Sequence, residues 1–379
     1  MLEHGTKQVQ YLRVKRGERA MKKVKYGIIG FGEIAETRIA KEGFGLDTSR
    51  FSGNPYASLV TVYNRNPAKR AAVEQLGLIW KNNFSDFIND PSIDAVVVST
   101  NNKTHVEFAH RAFEAGKHVF LEKPAGINLE EVVKLVEEAR LRGLSLGINH
   151  MMTKNCFNIL ARDMIRNGFI GDWRNLALHM EYPSGFSDSE IRSWRCADPE
   201  ELGGPIGDVG SHCLYMAEFL TGEIIQSLQC VYLPKHMPIA VEDGAIIRFT
   251  TESGRSGTVH VAFDEYRGPE NTLFRSHGYT VWGTRGALYG NATLFQLSGY
   301  KDEPARVELI SQVDGVEQHH VPEHINDIYM EQISEHARSI AEKKPQDGKE
   351  ALHNMEMIVA SHRSAREGGT LQKISSFTD

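Results

Sequence analysis

Cysteine is scarce in this sequence, and the few cysteines are isolated from one another. Only 4 Cys occur among the 379 residues, and no two of them form the CxxC pair typical of a zinc knuckle. Their wide spacing gives no sign of the disulfide framework found in small secreted domains. We therefore expect a reducing, cytoplasmic setting for this chain.

Long apolar runs and an excess of positive charge are missing as well. No apolar stretch approaches the roughly 20 residues needed to cross a bilayer, so we expect no membrane insertion. The 43 Lys and Arg residues are outnumbered by 49 Asp and Glu residues, which leaves a formal net charge of −6. This balance favours solubility and offers no broad attraction for a phosphate backbone, so we expect no nucleic-acid partner.

The length of the chain, 379 residues, favours two domains over one. Residues 1–20 carry five Lys or Arg but lack the apolar core of a secretory signal, and we interpret them as a leader or a disordered tail. We place a first domain at 21–149 and a second at 150–379, and we allow the closing helices of the second to pack back on the first.

In the first domain, short apolar runs alternate with longer helical stretches, which is typical of βαβ units in a parallel sheet. The runs are β-branched or aliphatic and predict strands at 24–29, 59–63, 95–99, 118–121 and 145–148. Helical spacing of apolar residues predicts helices at 33–42, 67–76, 104–115 and 128–142. Asn128 stands where an N-cap is expected for the last of these helices.

The second domain has a different texture, with a loop rich in Trp and Gly between two helices and then a series of alternating strands. Helices are predicted at 156–167, near 208–220, at 325–342 and at 349–366. Half-buried antiparallel strands are predicted at 226–232, 244–250, 257–263, 279–283 and 307–312. We expect these strands to form one sheet with a covered face.

The segment 30–35 reads GxGxxA and joins the first predicted strand to a helix. Gly30 permits a tight turn, Gly32 lets the backbone approach a pyrophosphate, and Ala35 allows close packing of helix and strand. A plain glycine turn is the alternative. In this context we predict dinucleotide binding by the loop residues Gly30, Phe31, Gly32, Glu33 and Ile34.

The second predicted strand ends in Asn64 and Arg65, where an acidic residue would bind the ribose hydroxyls of NAD. Without that carboxylate a 2′-phosphate is not repelled, and Arg65 could pair with it, so NADP is favoured over NAD. Arg65 as a solvated surface charge is the alternative. Residues 43–57 are interpreted as a loop inserted before this strand, and an insertion there could extend over the substrate cleft.

Four motifs occur in order along the chain: GxGxxA at 30–35, Glu-Lys-Pro at 122–124, GGPIGDVGSH at 203–212 and GTRGALYG at 283–290. Together they resemble the Gfo/Idh/MocA oxidoreductase family over nearly the whole chain from about residue 24. The resemblance implies an α/β fold, with an N-terminal Rossmann domain built on a doubly wound parallel sheet and a C-terminal α+β domain with an open, mostly antiparallel sheet. It also implies redox chemistry on a sugar or polyol, and a homodimer or homotetramer packed through the open sheet.

Lys123, Asp208 and His212 are the catalytic candidates. Asp208 and His212 are four residues apart at the start of a predicted helix, so their side chains share one face. His212 can accept the substrate hydroxyl proton, Asp208 can orient the ring and the substrate, and Lys123 at a strand end can polarise the reacting oxygen. The alternatives are an N-capping Asp208, a buried structural His212 and a surface Lys123.

Other positions match the family pattern less closely. The turn after the fourth strand reads Thr-Asn-Asn where relatives commonly have Thr-Pro-Asn, so Asn101 replaces the proline and leaves the rigidity of the turn in doubt. The resemblance adds cofactor contacts at Thr100, Asn101, Asn102, His105, Glu122, Lys123 and Arg195 to those predicted at Asn64 and Arg65 from the strand end. It assigns substrate contacts at Lys123, Asn149, His150, Trp194, Asp208 and His212.

The sequence therefore predicts an NAD(P)-dependent enzyme that transfers hydride between nicotinamide and a carbinol or carbonyl carbon of a sugar, a sugar derivative or a polyol. One alternative is a glycoside-cleaving enzyme that retains NAD and oxidises its substrate transiently. Another is a non-catalytic regulator of the same fold that senses a sugar or dinucleotide. We predict no metal, because His179, His319 and His320 lack partners at ligand spacing.

Overall fold

The computed structural model describes residues 22–264, 277–294, 297–298 and 307–375. Within these residues, a first sheet has six parallel strands in the order β3-β2-β1-β4-β5-β6. The strands are β1 (Val24–Ile29), β2 (Ala57–Tyr63), β3 (Ile79–Lys81), β4 (Ala95–Val98), β5 (His118–Leu121) and β6 (Leu146–Ile148). The strand order reverses between β1 and β4, and ligands of open α/β sheets bind at the carboxyl ends of the strands at such a point.

The helices of this domain follow the predicted pattern. They are the wide, π-type helix Ala35–Gly43, α1 (Arg70–Gln75), α2 (Phe84–Ile88), α3 (His105–Glu114) and α4 (Leu129–Arg142). The predicted N-cap is confirmed, because the Asn128 side chain accepts hydrogen bonds from the backbone of Glu130 at 2.9 Å and of Glu131 at 3.3 Å. Strand β3 and helix α2 were not predicted, since both are too short to show a period.

The second domain has a mixed, mostly antiparallel sheet, in which nine strands of the described residues run in the order β14-β13-β12-β11-β7-β10-β9-β8-β15. The only parallel pair among them is β7 with β10. The strands are β7 (Trp173–Glu181), β8 (Ile225–Tyr232), β9 (Gly244–Thr251), β10 (Ser256–Ala262), β11 (His277–Gly283), β12 (Gly286–Asn291), β13 (Glu308–Val313), β14 (Val316–His320) and β15 (Gln372–Lys373).

Strand β7 lies where the sequence predicted only a loop, between the first two helices of this domain, so that prediction was wrong. The strand is central in the sheet, although its polar residues Arg174 and Asn175 are exposed. Strands β12, β14 and β15 were also not predicted. The helices are α5 (Cys156–Arg166), α6 (Asp188–Ile191), α7 (Trp194–Ala197), α8 (Ser211–Thr221), α9 (Ile328–Ala341) and α10 (Lys349–Arg366).

Helix α9 packs against the first sheet. The hydroxyl of Tyr26 on β1 lies 2.8 Å from Nδ1 of His336 on α9, and Gln332 donates a hydrogen bond to the carbonyl of Ile148 at 3.1 Å. His336 and Gln332 are both buried, so these contacts are made in a low-dielectric interior where they are worth most. The closing helices thereby connect the two halves of the chain.

The insertion at 43–57, which could have extended over the substrate cleft, is attached at the opposite edge of the parallel sheet. It connects the end of the first helix to the start of β2, which is the amino edge of the parallel sheet, whereas the ligand cleft of such a sheet is at the carboxyl edge. Asn54 is buried and donates hydrogen bonds to the carbonyls of Gly43 at 3.0 Å and Met330 at 3.3 Å, and it accepts one from Ser334 at 3.2 Å. The insertion is therefore a docking surface for α9.

Candidate active site

The glycine loop lies at the point where the strand order reverses. Gly30 has φ of +86°, and a Cβ there would come within 2.4 Å of the carbonyl oxygen of Ser99, so only glycine fits. A Cβ on Gly32 would meet nothing within 4 Å. Phe31 is buried in the core, which leaves the backbone of the loop to face the open space. The loop therefore has the room that a pyrophosphate needs beside a helix N-terminus.

The end of β2 presents an amide and a cation. The Asn64 side chain accepts a hydrogen bond from the backbone of Asn66 at 2.7 Å, which fixes the turn after the strand. Arg65 is exposed and has no ion pair or side-chain hydrogen bond among the described residues. Its guanidinium is therefore available to an anionic ligand at this edge.

His105 connects the turn after β4 to the Glu-Lys-Pro segment after β5. Its ring nitrogens lie 2.8 Å from the carbonyl oxygen of Pro124 and 3.1 Å from that of Thr100. Burial lowers the pKa of His105 to about 4, so the ring is neutral and its single N–H donates to one of the two carbonyls while the ring contacts both segments. Asn101 in the same turn is exposed, whereas Asn102 is buried against the second domain.

Lys123, Asp208 and Arg195 form a buried ionic cluster. The Lys123 ammonium donates hydrogen bonds to the Asp208 backbone carbonyl at 2.6 Å and to its carboxylate at 3.1 Å. Arg195 donates to the other carboxylate oxygen at 2.9 Å. Burial opposes ionisation of Asp208, but Arg195 and Lys123 outweigh it and hold the pKa of the carboxyl well below its usual range. Asp208 thus fixes both cations at the carboxyl end of β5.

His212 lies one turn after Asp208 and is almost completely buried. Burial and the nearby Lys123 charge lower the pKa of His212 well below its usual range, so the ring is neutral. Its Nδ1 lies 2.7 Å from the hydroxyl of Tyr215, and the Tyr215 ring stacks on His150 with centroids 4.2 Å apart. The described contacts therefore orient His212 through Tyr215, which the sequence analysis did not identify, and not through Asp208.

Glu122 and Asn149 form a hydrogen-bonded pair close to Lys123. Asn149 donates a hydrogen bond to the Glu122 carboxylate at 2.7 Å, and burial raises the pKa of Glu122 although that bond and the Lys123 charge oppose the change. On the other side of the cluster, the Arg195 guanidinium lies 4.6 Å from the centroid of the Trp194 ring. Glu122, Asn149 and Trp194 therefore flank the ionic cluster. The side chain of His150 also borders a second cleft, beside Glu350.

Glu242 holds the start of the helix that carries Asp208 and His212, which begins with π-type turns at Ile206–Gly210 and continues as α8. Its carboxylate accepts a hydrogen bond from the Ile206 backbone N–H at 3.0 Å. Burial raises the pKa of Glu242 to about 7. Glu242 was not predicted from the sequence, because it lies more than thirty positions after Ile206 along the chain. We refer to Ile206–Gly210 together with α8 as the 206–221 helix.

Two further observations limit what the site can be. Among the described residues, no group of three or more His, Cys, Asp or Glu side chains could hold a metal ion. No helix of that part of the chain is long and apolar enough to cross a membrane. What the site does offer is a neutral imidazole beside a fixed ammonium, next to an open glycine loop, which is an arrangement that can move a proton and polarise an oxygen.

Comparison with known proteins places this geometry in a family. Residues 24–150 match the model described as "Oxidoreductase family, NAD-binding Rossmann fold", and residues 159–289 match the "GFO/IDH/MocA C-terminal domain". The chain is 29% identical to 1,5-anhydro-D-fructose reductase of Ensifer adhaerens over 273 residues, which are 72% of this chain and 77% of the relative.

Solved structures share the fold. A 3-ketoreductase from Actinomadura kijaniata, in complex with TDP-benzene and NADP, superposes with a TM-score of 0.77 at 20% identity and covers 90% of this chain and 98% of that one. Levoglucosan dehydrogenase, in complex with NADH and levoglucosan, has a TM-score of 0.77 at 19% identity and covers 94% of this chain and 100% of that one. The chain belongs to the Gfo/Idh/MocA family and is an NAD(P)-dependent oxidoreductase.

Proposed function

We propose that this enzyme transfers hydride between a nicotinamide cofactor and the carbinol or carbonyl carbon of a sugar, a sugar derivative or a polyol. The observation that carries the proposal is the buried cluster in which the Lys123 ammonium lies 3.1 Å from the Asp208 carboxylate, with neutral His212 one helical turn away. We also propose that residues 21–149 bind the dinucleotide and that residues 150–379 bind the substrate.

In the proposed mechanism, neutral His212 accepts the hydroxyl proton of the substrate during oxidation and returns it during reduction. Lys123 hydrogen-bonds the reacting oxygen and stabilises its developing negative charge. Asp208 keeps Lys123 and Arg195 in place, because its carboxylate bonds both cations. The glycine loop at 30–35 would hold the pyrophosphate of the dinucleotide, which would supply the nicotinamide for hydride transfer.

A sugar or polyol fits the surroundings of the cluster. The indole ring of Trp194 is a flat apolar surface on which a sugar ring can stack. The Arg195 guanidinium, 4.6 Å from the centroid of the Trp194 ring, can bond substrate oxygens. The anhydrofructose reductase and the levoglucosan dehydrogenase that the chain resembles are named for sugar substrates, which supports the same class here. Asn149 and His150 are the proposed additional substrate contacts.

We further propose a preference for NADP over NAD. Arg65 is exposed at the end of β2 and can pair with a 2′-phosphate, and the strand ends in Asn64, not in a carboxylate that would repel that phosphate. The solved relatives include one with NADP and one with NADH, so their cofactors alone do not decide the preference. Arg65 is the residue on which the choice depends.

The outer face of the nine-stranded sheet supports a homodimer or homotetramer. Ile246 on β9 and Trp282 on β11 expose 40% and 41% of their surface on strands whose neighbouring residues are mostly buried. Exposed apolar side chains on a broad sheet favour burial against a second copy. Light scattering tests this assignment, and a monomer at micromolar concentration would contradict it.

The function is tested by following the absorbance of reduced nicotinamide with NAD and NADP against a panel of sugars, inositols and sugar acids. Turnover with at least one member of the panel is the expected result. Cleavage of a glycoside without accumulation of free reduced cofactor would instead favour the NAD-retaining alternative. Binding of a sugar without any turnover would favour a regulator.

A further inference from the structure

The turn that leads from β4 into α3 is bonded to a segment of the second domain. The Asn102 side chain donates a hydrogen bond to the backbone carbonyl of Glu201 at 2.6 Å. The Lys103 backbone N–H donates to the Glu201 carboxylate at 2.9 Å. Asn102 and Glu201 expose only 2% and 6% of their surface, so both bonds are shielded from water. One buried residue of the second domain therefore holds the turn at two points.

Ion pairs surround these buried bonds but contribute less. The Lys103 ammonium lies 2.5 Å from the Asp198 carboxylate and 3.4 Å from that of Glu200. The three side chains are exposed by about one-third or more, and water and salt screen ion pairs in such positions strongly. The shielded contacts of Glu201 therefore dominate the connection between the two segments.

The segment that contains Glu201 also contacts the 206–221 helix. Leu202, which follows Glu201, has φ of +48°. Residues other than glycine rarely adopt this left-handed backbone conformation unless their surroundings impose it. A Cβ on Gly207 would come within 1.8 Å of the Leu202 carbonyl oxygen, so the backbone of Leu202 is pressed against the residue that precedes Asp208. Leu202 also packs against both hydrophobic cores.

We infer that Glu201 is a positioning residue for cofactor binding. It fixes the turn that carries Thr100 and Asn102, and through Leu202 it connects that turn to the helix that carries Asp208 and His212. The turn has Asn101 in place of a proline, and Glu201 adds a restraint from the second domain to the local contacts that Thr104 and His105 make within the turn. This inference rests on the proposed function, in which residues of this turn contact the dinucleotide.

The connection has an energetic consequence. Preorganising the turn removes an ordering cost that a bound dinucleotide would otherwise meet. Coupling of this kind is reciprocal, so a dinucleotide that orders the turn also favours the observed placement of the 206–221 helix. The second domain thereby contributes to cofactor affinity through the turn.

Calorimetric titration of NADPH and NADH tests the inference on four proteins: the native enzyme and the variants Glu201→Ala, Glu201→Gln and Glu200→Gln. Loss of the carboxylate in Glu201→Ala should weaken binding of the preferred dinucleotide about tenfold, because binding must then order a turn that has lost this restraint. Glu201→Gln should bind almost as tightly as the native enzyme, because its amide oxygen can still accept from Lys103. Exposed Glu200 is the matched control, and its variant should bind like the native enzyme.

Native affinity in a folded Glu201→Ala would overturn the inference, as would an equal loss in the Glu200→Gln control. If Glu201→Ala does not fold, Glu201→Ser removes the same carboxylate and keeps a short polar side chain at this position. A fall of several fold in its affinity is then expected, and native affinity would overturn the inference. A native enzyme that binds neither dinucleotide would refute the proposed function itself, which separates the two failures.

Discussion

Replacement of Glu242 by glutamine should change how the stability of this protein depends on pH. Burial raises the pKa of Glu242 to about 7, from an ordinary value of 4.5. Because the folded state binds this proton more tightly than the unfolded state, the native protein should lose stability as pH rises from 4.5 to 7. The full difference corresponds to about 3 kcal/mol. Glutamine stays neutral and can still accept the Ile206 N–H, so it removes this loss.

The assay is thermal unfolding of the native protein and Glu242→Gln at several pH values. At pH values near 5 the two midpoints should agree within about 1 °C, and at pH values near 8 the variant should unfold about 4 °C higher, given the unfolding entropy of a chain of this length. Glu200→Gln, which changes an exposed carboxylate, should follow the native curve throughout. A constant offset between Glu242→Gln and the native protein at every pH would refute the reasoning.

Three other variants probe separate parts of the account. Arg65→Ala should weaken NADP binding about tenfold and leave NAD binding unchanged, because only NADP has the 2′-phosphate; equal effects on both in titrations would remove Arg65 from that role. Asp208→Asn leaves Lys123 and Arg195 without a buried counter-charge, and should cost about 3 to 5 kcal/mol in urea unfolding, whereas a cost below about 1 kcal/mol would contradict the cluster. Asn54→Ala removes the buried bonds between the insertion and α9, and should cost about 2 to 4 kcal/mol by the same measurement; an unchanged midpoint would contradict that docking.

The elements that the sequence predicts well are those whose burial is decided locally. Strand β4 is a run of four buried apolar residues, and α10 spans the predicted 349–366 because its helical period is long and uninterrupted. Strand β7 was missed because its exposed polar residues and glycine-rich flanks resemble a loop. Strand β3 was missed because three residues show no period.

The site residues also fall into two groups: those whose positions follow from local sequence and those whose contacts join distant segments. The positions of Lys123 after a strand and of Asp208 in a helix predicted that both would face the cleft, and the structure brings their charged atoms to 3.1 Å. Tyr215 lies three positions after His212 on one helix face, so its contact could have been read from spacing. The contacts of Glu201 join the two domains and those of Glu242 join distant segments of the second domain, so only the tertiary packing determines them.

The restraint of the turn after β4 shows why local rules were insufficient there. Asn101 in place of a proline left the rigidity of the turn in doubt, and the sequence contained no sign of a contact with the second domain. The structure shows that Asn102 and Lys103 are bonded to Glu201, almost one hundred residues later. A local loss of backbone restraint is thus offset by a contact between domains, which a single sequence does not reveal.

The central claim, that the chain is a hydride-transferring enzyme with Lys123 and His212 at its reacting centre, is tested most directly by one comparison. The rate of nicotinamide reduction or oxidation on the best substrate is measured for the native enzyme, Lys123→Ala and His212→Ala, with cofactor binding confirmed for each by titration. The account predicts that each variant binds cofactor and loses at least about 100-fold in kcat, the usual contribution of a positioned acid or base. Full activity in both variants would contradict it.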